Sequence, residues 1–326
     1  MLEFEGRSFT RRDDETVLDC LLREGAQINS FCRSGACQAC VLKASSGSVP
    51  PAAQVGLKAA HKQQGFFLSC QCRPDGPLEI ERCDAAESHV SRVTRVARLS
   101  ADVLQVRLER PGGFVFRAGQ FVQLVRPSDG LMRPYSLASE PEEEELELHV
   151  ALLANGKMSG WLVDGPGQAV RIQGPFGECF YQEGEPERGL LLAGTGTGLA
   201  PLAGILKAAI RHGHQGEITV FHGAANPSGL YLRAQLEALA DALPALQLVG
   251  SVLGGDAAEL GVHGRWRLDA QPLDRLVLSR YPKLDALRLY FCGNPTLVHQ
   301  LRKRAYLAGA SLSRIHSDAF AAPHSA

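Results

Sequence analysis

The chain has 326 residues, 34 basic against 35 acidic for a net charge of −1, with 45% hydrophobic and 21% charged side chains. At about 150 residues per domain this length holds two or three domains, and the composition excludes disordered, collagen-like and coiled-coil classes. The balanced charge withholds the bulk positive field that sequence-independent nucleic-acid binding draws on, so no direct nucleic-acid partner is expected.

The first ten residues carry Glu3, Glu5 and Arg7 and no apolar core, the wrong pattern for a secretory signal. The longest uncharged stretch, Gly189–Leu206, is interrupted by Gly194, Gly196, Gly198, Pro201 and Gly204, so no membrane span is expected and a cytoplasmic location is the default. A strand is predicted over Glu3–Phe9, then a helix from about Glu15 in which Val17, Leu18, Leu21 and Leu22 recur at helical spacing and Gly25 caps the end. Seven of the nine cysteines (Cys20, Cys32, Cys37, Cys40, Cys70, Cys72 and Cys83) fall within the first 83 residues, which places a domain boundary near 84–90.

Cys32, Cys37 and Cys40 form a C-x4-C-x2-C run, and Cys70 follows after a segment rich in Ala, Ser and Gly. This is the spacing of plant-type [2Fe–2S] ligation, in which a tight loop presents three thiolates to one small cluster and the fourth comes from elsewhere. Gly35 supplies backbone freedom, and amides of the loop are expected to donate to the sulfurs. Zinc is the alternative metal, though it favours paired C-x2-C knuckles. Cys72 is an alternative fourth ligand, while Cys20, Cys83, Cys179 and Cys292 read first as small buried fillers. With Phe31–Cys40 and Leu68–Gln71 as they stand, the first stretch resembles the plant-type ferredoxin family.

The second stretch reads as short strands, Val93–Leu99, Val103–Leu108, Phe121–Val125, Leu146–Leu152 and Ala169–Ile172, with Gly and Pro clusters between them that suggest an antiparallel barrel or sandwich. Glu142–Glu145 is read as a solvated turn. Arg133-Pro134-Tyr135-Ser136 brings together a cation for a pyrophosphate, an aromatic for a flat ring and a hydroxyl for a ring nitrogen. Gly156-Lys157-Met158-Ser159 then opens a short helix over Ser159–Leu162, whose N-terminus suits a phosphate. Gly174–Gly177 marks a tight turn where a domain could end. In this order the motifs resemble the flavin domain of the ferredoxin–NADP reductase superfamily. The resemblance implies that Arg133 and Ser159 hold the pyrophosphate of FAD, which is preferred to FMN because Gly156–Ser159 is present. It further implies that Tyr135 stacks on the isoalloxazine, that Ser136 sits near its N5, and that His149, Val150 and Ala151 form a second flavin-contacting strand.

Beyond the polar segment Gln182–Arg188 the rhythm changes to strand then helix: Leu190–Ala193, Leu199–Arg211, Glu217–Phe221, Leu230–Leu243, Leu246–Val249, Leu287–Phe291 and Pro295–Leu307. That alternation predicts a parallel sheet with covering helices. Gly194-Thr195-Gly196-Thr197-Gly198 turns the first of these strands into its helix, where backbone amides and the helix dipole favour a phosphate. Phe221–Ala224 and Tyr290–Pro295 end two more strands at the same sheet edge, where open α/β folds bind ligands. His212 and His214 fall near a helix end and are expected to face solvent. Arg302, Lys303, Arg304 and Arg314 read as a solvated helix face, and the remaining histidines, His324 among them, show no metal-ligand spacing.

These segments again resemble the reductase superfamily, whose nucleotide domain carries G-T-G-T-G-x-A-P and C-G-x-P motifs. The resemblance implies that Thr197 and Gly198 line the nicotinamide pocket, that Cys292 and Gly293 face the hydride-transfer region, and that Asp318 and Phe320 belong to an acidic–aromatic tail near the flavin. Ala225 and Asn226 stand where many relatives have a basic residue, which favours NADH over NADPH.

The whole chain thus resembles the reductase components of bacterial multicomponent oxygenases. Its expected domains are a β-grasp ferredoxin domain over 1–86, an antiparallel β-barrel FAD domain over 87–186 and a parallel α/β NAD-binding domain over 187–326. The implied activity passes electrons from NADH through FAD and the [2Fe–2S] cluster to a protein acceptor, either a Rieske or di-iron oxygenase or a small ferredoxin, recognised near Cys37 and Cys40, with the reductase a monomer. The alternative is a redox-sensing regulator of the same build that binds a transcription factor. A further enzyme alternative is a deoxysugar-pathway reductase that differs only in its acceptor.

Overall fold

The computed structural model describes residues 1–30, 32–35, 37–57, 59–82, 88–254 and 259–320. Phe31, Ala36, Cys83, His324 and the expected boundary at 86/87 lie outside these residues. The described chain divides into two compact units, one of Met1–Ser88 with Leu131–Arg133, the other of His89–Gly130 with Pro134–Phe320.

In the first unit the strand expected over Glu3–Phe9 is a hairpin of β1 (Leu2–Phe4) and β2 (Arg7–Phe9). Glu5 and Gly6 both take positive φ, 51° and 73°, which makes the two-residue turn that reverses the chain between them. Helix α1 (Val17–Arg23) begins where the Thr16 side chain accepts from the Asp19 N–H at 3.1 Å. It ends at Gly25 as expected: Gly25 donates to Leu22 O at 3.0 Å and Ala26 to Leu21 O at 2.9 Å, the paired bonds of a left-handed C-terminal cap. Four more elements follow: β3 (Val41–Gly47), α2 (Ala59–Gln63), β4 (Phe66–Leu68) and β5 (Leu78–Glu81). The sheet order is β2-β1-β5-β3-β4, with β1 and β5 parallel and the other pairs antiparallel, the β-grasp arrangement. Val17, Leu18, Cys20 and Leu21 of α1 join Leu2, Phe4, Phe67 and Ile80 in its core, each large side chain contributing ~1.5–3 kcal/mol by leaving water.

The next sheet, of the second unit apart from Ser88, Met132 and Arg133, is antiparallel and six-stranded: β6 (Ser88–Arg98), β7 (Val103–Glu109), β8 (Phe121–Val125), β9 (Met132–Ser136), β10 (Glu145–Ala151) and β11 (Ala169–Phe176), interrupted by α3 (Lys157–Val163). Its order is β10-β7-β6-β11-β8-β9. A bridge between Leu137 and Leu148, with Ala138 N–H donating to Glu147 O at 2.8 Å, joins the two outer strands and closes the barrel. Two segments gain definition here. Arg133–Ser136, given no element in the sequence, is itself strand, tolerating Pro134 because the strand is outermost in the ladder. Gly174–Phe176 is not a free turn: it is the end of β11, continued through a bulge, with Phe176 opposite Phe121. The acidic turn is also less free than expected, since Glu140 and Glu142 pair with Arg211, and Glu143 with Lys207.

The rest of this unit is a seven-stranded sheet built from β12 (Leu190–Thr195), α4 (Leu199–Arg211), β13 (Ile218–Ala224), α5 (Arg233–Ala242), β14 (Leu246–Val252), β15 (Gly261–His263), β16 (Trp266–Asp269), α6 (Leu273–Arg280), β17 (Arg288–Gly293), α7 (Pro295–Leu307) and β18 (Ile315–Ala319). The order is β15-β16-β14-β13-β12-β17-β18, parallel except for β15. Leu190–Gly194 of β12 are all buried, as a strand covered on both faces requires. His214 is not at the surface: Gly213, at φ +67°, turns the chain so that His214 N–H reaches Ala209 O at 3.0 Å and its ring Nδ1 meets Tyr181 Oη at 3.2 Å. Among the described residues no helix is long and apolar enough to cross a membrane.

Candidate functional site

In the first unit, Arg33, Gly35 and Gln38 take positive φ (50°, 82° and 56°), so the loop after α1 winds tightly and turns its amides inward. Ser34 and Cys37 N–H groups lie 3.4 and 3.3 Å from Cys32 Sγ, Gln71 Nε2 lies 3.6 Å from Cys70 Sγ, and backbone N–H groups of Gly35 and Ala39 reach Cys70 and Cys37. The loop is clamped from outside by Gln71 Nε2 donating to Arg33 O at 2.7 Å and by Ser69 Oγ donating to Cys40 O at 2.7 Å.

The four thiols stand in two pairs, Cys32 with Cys37 and Cys40 with Cys70, each joined sulfur to sulfur by a hydrogen bond. The Cys37 thiol, with the Ser34 and Cys37 amides, lowers the Cys32 thiol from its ordinary range, and Cys40 lowers Cys70. Each pair therefore holds one sulfur ready to carry negative charge. Among the described residues no three His, Cys, Asp or Glu side chains surround a single ion. Two pairs ringed by N–H donors fit a two-iron cluster, which needs two thiolates per iron and donors for its sulfurs. Cys72 is fully buried in the core, and burial raises its thiol to about 12, away from either pair.

In the barrel, Arg133, Tyr135 and Ser136 lie on β9, Ser136 buried and the other two half-buried. Arg133 Nη1 donates to Met132 O at 2.7 Å. Helix α3 starts two residues earlier than expected, with Gly156 before it; Lys157 is exposed, and Met158 and Ser159 are buried. Ser159 Oγ donates to Gly156 O at 3.3 Å and accepts from Leu153 N–H at 3.4 Å, and a Cβ on Gly156 would fall on that hydroxyl. The hydroxyl thus shapes its own loop. Arg126 Nη1 donates to Lys157 O at 3.0 Å, tying the end of β8 to this turn. Within the second unit, the Tyr135 ring and the glycine turn at Gly156 are residue types that fit a flavin nucleotide, an aromatic face and backbone amides. On β10, Val150 is fully buried, Ala151 half-buried, and the His149 ring turns inward to Glu147 and Tyr231.

The nucleotide segments converge at the carboxyl edge of the parallel sheet, at the point where β12 has β13 on one side and β17 on the other. The glycines there serve backbone packing: a Cβ on Gly198 would lie 2.5 Å from Cys292 O, and one on Gly293, at φ +113°, 2.7 Å from Thr195 O. Gly196 alone of the loop's three glycines is exposed, with nothing within 4 Å of the Cβ it lacks. Thr195 Oγ1 accepts from Asn294 N–H at 3.2 Å, and Thr197 is half-exposed beside Gly196. The tail continues into this edge: Asp318 is in register with Cys292, and Phe320 N–H donates to Gly293 O at 2.7 Å. Cys292 is fully buried with its Sγ 3.6 Å from Cys179 Sγ, and burial pushes its thiol well up. The structure thus brings Thr195, Gly198, Cys292, Gly293, Asp318 and Phe320 together. Cys179 is buried, as its reading as a filler expects, and only its contact with Cys292 went unforeseen, since it carries no motif.

Residues 2–75 match the model of the 2Fe-2S iron–sulfur cluster binding domain, residues 90–181 that of the oxidoreductase FAD-binding domain and residues 192–303 that of the oxidoreductase NAD-binding domain. The reductase subunit of an aromatic O-demethylase from Amycolatopsis sp. is 31% identical over 330 residues, covering 97% of this chain and 96% of that one. The ferredoxin–NAD(+) reductase component of the alkene monooxygenase system of Xanthobacter autotrophicus is 32% identical over 314 residues, covering 92% and 93%. Among solved structures, an Amycolatopsis cytochrome P450 reductase superposes with a TM-score of 0.69 at 28% identity, covering 98% of both chains. The ferredoxin reductase in carbazole 1,9a-dioxygenase gives 0.67 at 25%, covering 98% of this chain and 97% of that one.

Proposed function

The chain belongs to the ferredoxin–NADP reductase superfamily, in the branch with an N-terminal plant-type [2Fe–2S] domain, and we propose that it is the NADH-dependent reductase component of an oxygenase system. The observation that carries this reading is the presence in one chain of two thiol pairs ringed by amides, a β-barrel with an Arg-x-Tyr-Ser strand, and a glycine loop at the switch point of a parallel sheet. When bound, FAD supplies the exchange between two-electron hydride chemistry and the one-electron chemistry of an iron–sulfur cluster.

The chain's own residues would divide the work over domains taken as 1–86, 87–186 and 187–326. Cys32 and Cys37 would hold one iron and Cys40 and Cys70 the other. Arg133 and the Gly156–Ser159 turn would hold the pyrophosphate of FAD, Tyr135 and Ser136 the ring, and β10 from His149 to Ala151 its other side. Gly194–Gly198 would receive the nicotinamide nucleotide, with Cys292, Gly293, Asp318 and Phe320 bounding the pocket. Ala225 is exposed and Asn226 spends its carboxamide oxygen on Gly229 N–H at 3.1 Å and Ser228 Oγ at 2.7 Å, so neither offers a cation to a 2′-phosphate, which supports NADH over NADPH. The acceptor would be a Rieske or di-iron oxygenase or a small ferredoxin docking near Cys37 and Cys40, with the reductase acting as a cytoplasmic monomer.

Anaerobic titration of the purified holoprotein with NADH and then NADPH, following the flavin and iron–sulfur bands separately, tests this. Flavin bleaching by NADH followed by cluster reduction supports it. Cofactors that dithionite reduces but neither nucleotide does would refute electron entry at this site.

A further inference from the structure

Four buried side chains, distant in sequence, form one line through the second unit. Glu147 and His149 sit two residues apart on β10 and so point to the same side. Tyr231, just after the turn that follows β13, inserts its ring between His149 and His222, edge-on to both at centroid distances of 5.3 and 5.4 Å. His222 lies near the end of β13, in register with Gly194 of the nucleotide loop. All four are less than a tenth exposed.

The hydrogen bonds allow one arrangement of protons. Arg107 Nη2 donates to Glu147 Oε2 at 2.7 Å, so the carboxylate is ionised and held, while the Glu147 backbone N–H donates to Ser139 Oγ at 3.1 Å. His149 Nε2–H then donates to Glu147 Oε1 at 3.0 Å, which leaves Nδ1 to accept the Tyr231 hydroxyl at 3.1 Å. His222 Nε2–H donates to Gly196 O at 3.2 Å, while its Nδ1 is buried with no partner among the described residues. An acceptor left unpaired in the interior has a cost. A phenylalanine would fill the same space without it, so what the histidine adds is the bond to Gly196.

That bond acts on the loop's open position. Gly196 O also accepts from Leu199 N–H, so both of its lone pairs are taken and the peptide is fixed between α4 and β13. A trans peptide is planar, so a carbonyl turned toward the buried histidine turns the N–H of Thr197 the other way. We propose that His222 is a positioning residue that aims the Thr197 amide at the bound nucleotide, and that Glu147, His149 and Tyr231 carry its support back to the barrel strand β10. This rests on the reading of Gly194–Gly198 as the nicotinamide nucleotide loop.

The test is calorimetric titration of the oxidised holoprotein with tetrahydro-NAD, an analogue of NADH that gives up no hydride. His222→Phe should raise its dissociation constant about tenfold, equivalent to the ~1.4 kcal/mol of one buried hydrogen bond. FAD content and the iron–sulfur spectrum should stay as in the wild type. His222→Gln, whose side-chain N–H can reach Gly196 O, should recover most of the loss. Tyr231→Phe keeps the ring and removes only the hydroxyl, and should weaken binding about threefold. Wild-type affinity in His222→Phe, failure of His222→Gln to recover in a folded protein, or wild-type affinity in Tyr231→Phe would each overturn the inference while leaving the nucleotide reading in place. A wild-type protein that binds no analogue would overturn that reading and the inference together.

Discussion

Burial holds the His222 imidazole down at about 4 from its ordinary 6.5, against the opposing pull of Gly196 O. The neutral ring is therefore favoured in the folded protein, and the unfolded chain takes up the proton first as pH falls. Stability contributed by this group is complete above pH 6.5, declines as pH drops toward 4, and is lost below that. The span amounts to ~3 kcal/mol, of which ~2 kcal/mol is gone by pH 5. Burial lowers His149, His214 and His316 as well, and their slopes have the same sign. Comparison with His222→Phe isolates the one group, because the other three remain in both proteins. Urea unfolding of the holoproteins at pH 7 and pH 5, followed by circular dichroism, should show the variant gaining on the wild type by ~2 kcal/mol between the two pH values. Parallel losses in the two proteins would mean that His222 titrates normally and that its environment is not the dry one described.

Three further outcomes follow from the two units. Cys70→Ser should abolish the visible iron–sulfur bands, whereas Cys72→Ser should keep them and cost only stability, since Cys72 packs in the core apart from the thiol pairs; absorbance and iron analysis of the two purified proteins decide it. Gly293→Ala must place a Cβ 2.7 Å from Thr195 O at φ +113°, so it should destabilise by ~2 kcal/mol or more and slow flavin reduction by NADH while FAD content is retained, as stopped-flow absorbance will show. Ala225→Arg supplies a cation to the exposed turn after β13 and should lower the KM for NADPH about tenfold with little change for NADH, a shift read directly from steady-state rates.

Where the sequence carried a full period between clear punctuation marks, the structure follows it residue for residue. Leu199–Arg211 and Pro295–Leu307 are helices over the expected ranges, one set off by a glycine loop and the other capped by Asn294, whose side chain accepts from Leu297 N–H at 3.2 Å. Phe121–Val125 is equally faithful, an apolar run with all five residues buried. In the parallel sheet the elements that escaped notice include β15, β16 and α6, which are short, and their order depends on pairing with β14 and packing beside β13 rather than on local pattern. The opening hairpin was hidden because Glu5 carries a left-handed φ that Glu seldom adopts. His214 was misplaced for a related reason: a helix end suggests solvent, but the glycine before it folds the chain back onto Tyr181.

The candidate site divides along the same line. Cysteine spacing is legible because a cluster demands ligands at fixed offsets in one loop, and the structure gathers those thiols into two pairs. The glycines were legible as positions but not as reasons. In sequence the loop read as a turn whose amides and helix dipole favour a phosphate; in the structure Gly198 and Gly293 clear space for Cys292 O and Thr195 O, and of the loop's three glycines Gly196 alone opens outward. The loop owes its shape to the strands on which it rests, and the ligand is left a single yielding point. Nothing local marks the four residues that brace that point, since Glu147, His149, His222 and Tyr231 come from three separate segments and meet only when the barrel and the sheet have formed. A histidine in a buried strand reads in sequence as an imperfect core residue. Its one bond to Gly196 O, made at the cost of an Nδ1 unpaired among the described residues, makes the imperfection the point where the glycine loop is tied to β13.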